Sequence, residues 1–210
     1  MRCLQSWKET CPDFQIIEWN ESNFDVSQHP FTQKMYAEKK WAFVADYARL
    51  HVLYEHGGIY LDTDMLLLQS LSPLLDTNLL LGKESEEFIS CGMIGATPQN
   101  SFINSCMHVY DTIQELKPNP VILTALYNEL HPPHTAVLPP HVFYPFTSLD
   151  IHKYHGQKLE EAVYGVHLWN YSWGSPLNKF FKKIGVHAVG KKITEKLGVK
   201  QILKKLLGFV

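Results

Sequence analysis

The chain has 210 residues, 45% of them apolar, with ordinary glycine and proline counts and a formal net charge of −2. That length and composition fit one globular domain with a real core, and exclude collagen, coiled coil and bulk disorder. The charge is unevenly spread: residues 179–210 hold nine Lys against Glu195 alone, leaving 10 basic and 20 acidic residues for 1–178, so the acidic body argues against nucleic acid as a partner.

In chain order, a short helix from Arg2 ends near Cys11-Pro12-Asp13, a strand is expected over Phe14–Trp19, and a polar loop runs from Asn20 to Pro30. From about Met35 to His56 the pattern is helical, and from Trp41 onward it is apolar on most sides, as in a buried helix. Gly57 stands where a C-cap glycine belongs, with His56 in the last turn. Residues 57–64, Gly-Gly-Ile-Tyr-Leu-Asp-Thr-Asp, read as an apolar strand ending in two carboxylates. A period of two places Tyr60, Asp62 and Asp64 on one face, with the two acids about 7 Å apart at Cβ. Burying both without a partner costs several kcal/mol, so they reach water at a strand end or share a cation. Further strands are expected at Leu66–Leu68, Leu79–Gly82, Phe88–Ala96, Val137-Leu138, Val142–Tyr144 and Val163–Leu168, and helices at Ser101–Leu116 and Val121–Leu130. Glycines in the 88–96 strand leave room for a ligand or another backbone. Interleaved helices and strands predict an α/β fold, a mixed sheet flanked by helices.

Cys3, Cys11, Cys91 and Cys106 form no Cys-x-x-Cys pair and read as reduced thiols of a cytoplasmic protein. No apolar run approaches the ~20 residues that span a bilayer, and the start lacks the layout of a signal peptide.

On the helix before the acid pair, Asp46 and Arg49 lie three residues apart, hence on one face, among mostly apolar neighbours. They form either an internal ion pair that fixes the helix or the wall of a pocket above the strand ends, where a carboxylate and a guanidinium suit a polyhydroxylated ligand. Downstream, Val166-His167-Leu168-Trp169-Asn170-Tyr171-Ser172-Trp173 concentrates a histidine, a serine and two tryptophans. Beside two Asp ligands, a neutral His167 imidazole can complete a Mn²⁺ or Mg²⁺ site, with Mn²⁺ favoured by the nitrogen donor.

Val44-Ala-Asp-Tyr-Ala-Arg49, then Leu53, then Gly57-Gly-Ile-Tyr-Leu-Asp-Thr-Asp64 resembles the sugar-binding region of the Asp-x-Asp glycosyltransferases of family 32, densely over residues 41–73 and more loosely from Ser6 to Trp173. The resemblance implies a GT-A-type (Rossmann-like) fold and a metal-dependent, retaining transfer of sugar from a nucleotide-diphosphate donor to a glycan or lipid-linked acceptor in surface-polysaccharide assembly. It implies that Asp64 chelates the metal, that Asp62 contacts ribose and metal, and that Tyr60 lines the nucleotide pocket. Asp46 and Arg49 would hold donor-sugar hydroxyls, His167 would touch metal or diphosphate, and Ser172 and Trp173 would close over the diphosphate. The family's opening strand, of the type Ile-Pro-Lys-x-Ile-His-x-x-Trp, is not matched, so a domain over 1–178 is expected to be N-terminally short, with nucleotide-base binding most affected. Two other readings stay open: a nucleotide-sugar binder without turnover, and a haloacid-dehalogenase-like phosphatase. The latter also follows a strand with Asp-x-Asp, but has Thr or Val where Leu66 stands here.

In residues 179–210, Val199, Ile202, Leu203, Leu206, Leu207, Phe209 and Val210 fall on one helical arc opposite Lys200, Gln201, Lys204 and Lys205. Such a tail either docks on protein or lies on an anionic membrane surface through 180–210, which would make the protein peripheral on the inner face of the plasma membrane.

Overall fold

A computed structural model of the chain describes residues 2–170; the basic tail, Ser172 and Trp173 lie outside the described residues. Five helices, α1 (Arg2–Thr10), α2 (Pro30–Ala37), α3 (Trp41–His56), α4 (Ser101–Thr112) and α5 (Asn119–Leu130), accompany six strands. These are β1 (Gly58–Leu61), β2 (Met65–Leu67), β3 (Leu79–Lys83), β4 (Ile89–Ala96), β5 (Thr135–Leu138) and β6 (Gly165–His167). The main sheet runs β1-β4-β3-β5, with β4 antiparallel to both neighbours and β5 parallel to β3, and β2 and β6 form a separate antiparallel pair. The expected mixed sheet flanked by helices is therefore present.

Both faces of the main sheet are covered. Leu79, Leu81 and Ile94 pack with Leu50, Leu53, Phe102 and Leu123 of the helices on one side. Leu80 and Met93 join Met65, Leu67 and Phe143 on the other. This is why β4 reads as an unbroken apolar run rather than an alternating one. Asn100 caps α4 by accepting from the N–H groups of Phe102 and Ile103 at 3.0 and 3.3 Å, which fixes its start as the sequence suggests.

Four expectations are corrected. Phe14–Trp19 is irregular rather than a strand, because its backbone meets no ladder partner among the described residues, and propensity alone does not hold a strand. The helix expected over Met35–His56 is two helices: at Glu38-Lys39-Lys40 the chain turns through a left-handed Lys39 (φ 56°), and Lys40 N–H closes back on Met35 O at 2.8 Å. The lysines and glutamate there have no apolar face to bury. Val142–Tyr144 is not a strand: Val142 ends a 3₁₀ turn at Pro140–Val142, and the Tyr144 N–H closes back on Pro140 O at 2.7 Å. The strand before the acid pair ends at Leu61, so Asp62 and Asp64 lie in the turn into β2, closed by Met65 N–H to Asp62 O at 2.9 Å.

α1 sets the position of β2. The Trp7 indole N–H donates to Met65 O at 2.6 Å, and Ser6 Oγ accepts from Leu67 N–H at 3.0 Å. β6 pairs with β2 in the register Met65↔His167, which brings residue 167 beside the turn that carries Asp64.

Candidate active site

The site is assembled from three stretches: α3, the β1–β2 turn, and the end of β6. Arg49, 6% exposed, is its centre. Its Nη2 meets Asp46 Oδ1 at 3.1 Å, and its Nη1 meets Asp62 Oδ1 at 3.2 Å and Cys91 O at 2.6 Å. The guanidinium also lies over the Tyr60 ring, 4.8 Å from its centroid. The internal ion pair expected of Asp46 and Arg49 is present, and Arg49 also ties the helix to the acid turn. Burial works against the Arg49 charge, but Asp62 and Asp46 outweigh it and hold the pKa well above the ordinary value. Burial pushes the Asp46 carboxyl upward against the pull of Arg49. Tyr60, its pKa raised well above normal chiefly by burial, remains a donor, and gives its hydroxyl hydrogen to Asp62 Oδ1 at 2.8 Å.

Asp64 faces His167. The carboxylate Oδ1 lies 3.0 Å from His167 Nε2, and Oδ2 accepts from the Asn170 N–H at 2.6 Å. Although burial alone would raise it, these partners hold the Asp64 pKa below the usual carboxylate range. One ligand atom each from Asp62, Asp64 and His167 lies within 4.8 Å of the others. Two carboxylate oxygens and one imidazole nitrogen are a donor set that suits Mn²⁺ or Mg²⁺. His167 Nδ1 is buried with no hydrogen-bond partner among the described residues, so the imidazole is held here by Asp64 rather than through its other nitrogen.

A cleft of about 280 Å³ opens beside the Arg49–Tyr60 pair, walled by Trp19, Phe24, Val44, Ala48 and Trp41. Asn119, at the first turn of α5, donates from Nδ2 to Asp46 O at 3.2 Å, while its Oδ1 is buried without a partner among the described residues.

The structure brings Asp46, Arg49, Tyr60, Asp62, Asp64 and His167 together as the sequence suggests; Ser172 and Trp173 lie outside the described residues. The sequence reading did not identify Asn119, Asn170, Tyr144 or the Cys91 carbonyl. Only the glycine-bearing 88–96 strand hinted at the last. There β4 departs from regular pairing, for between Leu81↔Ile94 and Lys83↔Ile89 two steps along β3 face five along β4. Such a bulge re-aims backbone groups, and here it turns Cys91 O to Arg49 and Gly92 O to the Asp62 N–H at 2.8 Å.

Residues 1–81 match the model of a glycosyltransferase sugar-binding region containing a DXD motif. Among curated relatives, the chain is 26% identical over 156 residues to alpha-1,4-N-acetylglucosaminyltransferase of Homo sapiens, covering 64% of this chain and 45% of the relative. It is 28% identical over 150 residues to lactosylceramide 4-alpha-galactosyltransferase of Mus musculus, covering 60% and 40%. It is 28% identical over 96 residues to inositol phosphoceramide mannosyltransferase 3 of Schizosaccharomyces pombe, covering 44% and 27%. The chain thus spans less than half the length of each of these three. Among solved structures, PaToxG glycosyltransferase superposes with a TM-score of 0.40 at 22% identity, covering 50% of this chain and 42% of that one. Among the described residues no helix is long and apolar enough to cross a membrane, and the four cysteines are free and buried.

Proposed function

We propose that this chain, which carries the sugar-binding region of the Asp-x-Asp glycosyltransferases, transfers a sugar from a nucleotide-diphosphate donor to a glycan or glycolipid acceptor through a GT-A-type site that needs a divalent metal. The observation that carries the reading is the convergence of Asp62, Asp64 and His167 from two segments about a hundred residues apart onto one side of the Arg49–Asp46 pair. Asp62, Asp64 and His167 would hold Mn²⁺ or Mg²⁺, and that ion supplies neutralisation of charge on the departing diphosphate. Arg49 and Asp46 orient donor-sugar hydroxyls by donating and accepting in turn. Tyr60 and Trp19 present aromatic faces to the cleft, which takes the nucleoside. The anomeric configuration would be retained, and a separate base is not needed if the departing diphosphate takes the acceptor proton. The names of two relatives contain a ceramide lipid, which supports a glycolipid acceptor; a role in surface-glycan assembly and a membrane contact through residues 180–210 belong to the same proposal.

Turnover of a panel of UDP- and GDP-sugars with Mn²⁺ tests the reading. One donor is hydrolysed slowly in the absence of acceptor, and Asp64→Ala abolishes this. Donor binding with no turnover would mark a non-catalytic binder, and release of phosphate from an aryl phosphate would mark a phosphatase.

A further inference from the structure

The two oxygens of Asp62 face different neighbourhoods. Oδ1 belongs to Arg49 and Tyr60. Oδ2 faces the Cα of Gly92: a Cβ built there would lie 3.1 Å from Asp62 Oδ2 and 3.0 Å from the Tyr144 hydroxyl. Only a glycine leaves this gap open. Tyr144 is 4% exposed, and its hydroxyl, buried and aimed into the gap, is turned toward Ser90. Its ring meets His167 edge-on at 5.5 Å and Trp169 at 6.0 Å, so it spans from the Asp64–His167 pair to the β4 bulge.

On the same side stands Glu84, just past the end of β3. Its N–H donates to Phe88 O at 3.0 Å and closes the β3–β4 hairpin. Its carboxyl is turned toward Ser90, the first residue of the bulge, and toward His167. Ser90, 3% exposed, accepts from the Gly92 N–H at 3.1 Å. Glu84 is only partly buried, whereas Ser90 and Tyr144 are buried. A reachable carboxyl backed by a buried serine, itself beside a buried tyrosine, is a side chain with a fixed aim. Neither the Asp46–Arg49 pair nor the three candidate metal ligands makes use of it. Burial also pushes the Glu84 pKa upward, more than His167 and Ser90 pull it down.

We propose that Glu84, backed by Ser90 and Tyr144 across the Gly92 gap, is the subsite that takes a hydroxyl of the acceptor sugar, on the opposite side of Asp62 from the donor pair. A carboxylate accepts from one or two sugar hydroxyls and discriminates by their position. This rests on the transferase reading for the word acceptor, but the subsite itself is a claim about binding a glycoside.

The test uses saturation-transfer NMR on the full chain with UDP and Mg²⁺, with methyl β-galactoside, methyl β-glucoside, methyl α-mannoside and lactose as probes. At least one probe receives saturation from the wild type, and Glu84→Gln and Glu84→Ala weaken that signal about tenfold, the loss expected for one charge-assisted hydrogen bond, while UDP signals persist. Tyr144→Phe, which leaves the carboxyl in place, weakens it less. The proposal is overturned if no probe is saturated by the wild type, if both Glu84 variants keep the sugar signal, or if they lose the UDP signal equally. A Glu84-dependent sugar signal with no UDP binding at all would instead retain the subsite and defeat the transferase reading. Ser90→Ala serves as the second variant should the Glu84 substitutions melt early, with the same expected loss of sugar signal.

Discussion

Arg49 joins the helix that precedes the acid turn to the turn itself, with two carboxylates and a carbonyl on one guanidinium. Removing it strands Asp46 and Asp62 in a poorly solvated place, and breaking a buried pair from one side costs about 3–5 kcal/mol. Arg49→Met is therefore expected to lose about that much in urea unfolding. A loss under about 1 kcal/mol would mean the cluster is solvated in solution. Lysine would be a poor replacement because one ammonium cannot reach three acceptors in the fork arrangement of the guanidinium. His51, by contrast, gives a pH signature away from the site. Burial lowers its pKa, more than Glu55 raises it, so the folded state prefers the neutral ring while the unfolded chain takes up a proton near pH 6.5. The corresponding stability is present above that pH and falls as pH drops through it. The melting temperature of the wild type should thus fall more between pH 7.5 and 5.5 than that of His51→Gln; equal slopes would contradict this assignment.

At the scale of elements, the junction between α3 and β1 determines where Tyr60 and the acid turn point. Gly57 ends the helix at φ 66°, its N–H on Leu53 O at 2.9 Å, and a Cβ there would fall 2.6 Å from Pro98 Cδ. Gly57→Ala combines a left-handed non-glycine residue with a backbone clash and should cost about 1–3 kcal/mol, readable as a lowered melting temperature; an unchanged one would mean the junction is not held by Pro98. The same region shows what a sequence discloses. The helix end, the strand and the acid pair were legible because local patterns specify them: apolar periodicity, a glycine cap, two acids two apart. The turn at Asp62–Asp64 was not, because its closure depends on β2 being held by Trp7 and Ser6 of α1, 58 and 61 residues away in sequence. Phe14–Trp19 had strand composition but lacked a partner to pair with, a fact that no local window contains. His167 was identified by chemistry and by resemblance, whereas Glu84, Tyr144 and Asn170 matter only through where β4, the 3₁₀ turn and β6 place them.

For the whole molecule, a sheet buried on both faces carries its chemistry at one end. The β1–β2 turn leaves that end, α3 leans over it with Arg49, and β6 returns to it with His167. Such an arrangement suits a reaction that needs fixed positions more than moving parts, as diphosphate departure with a bound cation does. On the proposed reading, the donor's diphosphate would be held through a cation at Asp62, Asp64 and His167. Calorimetric titration of UDP and GDP into the full chain, with Mn²⁺ and again after chelation, tests this most directly. One nucleotide should bind with Mn²⁺, lose at least tenfold in affinity on chelation, and lose a similar factor in Asp64→Asn and in His167→Ala with Mn²⁺ present. Nucleotide binding that is indifferent to the metal and to both substitutions would contradict it.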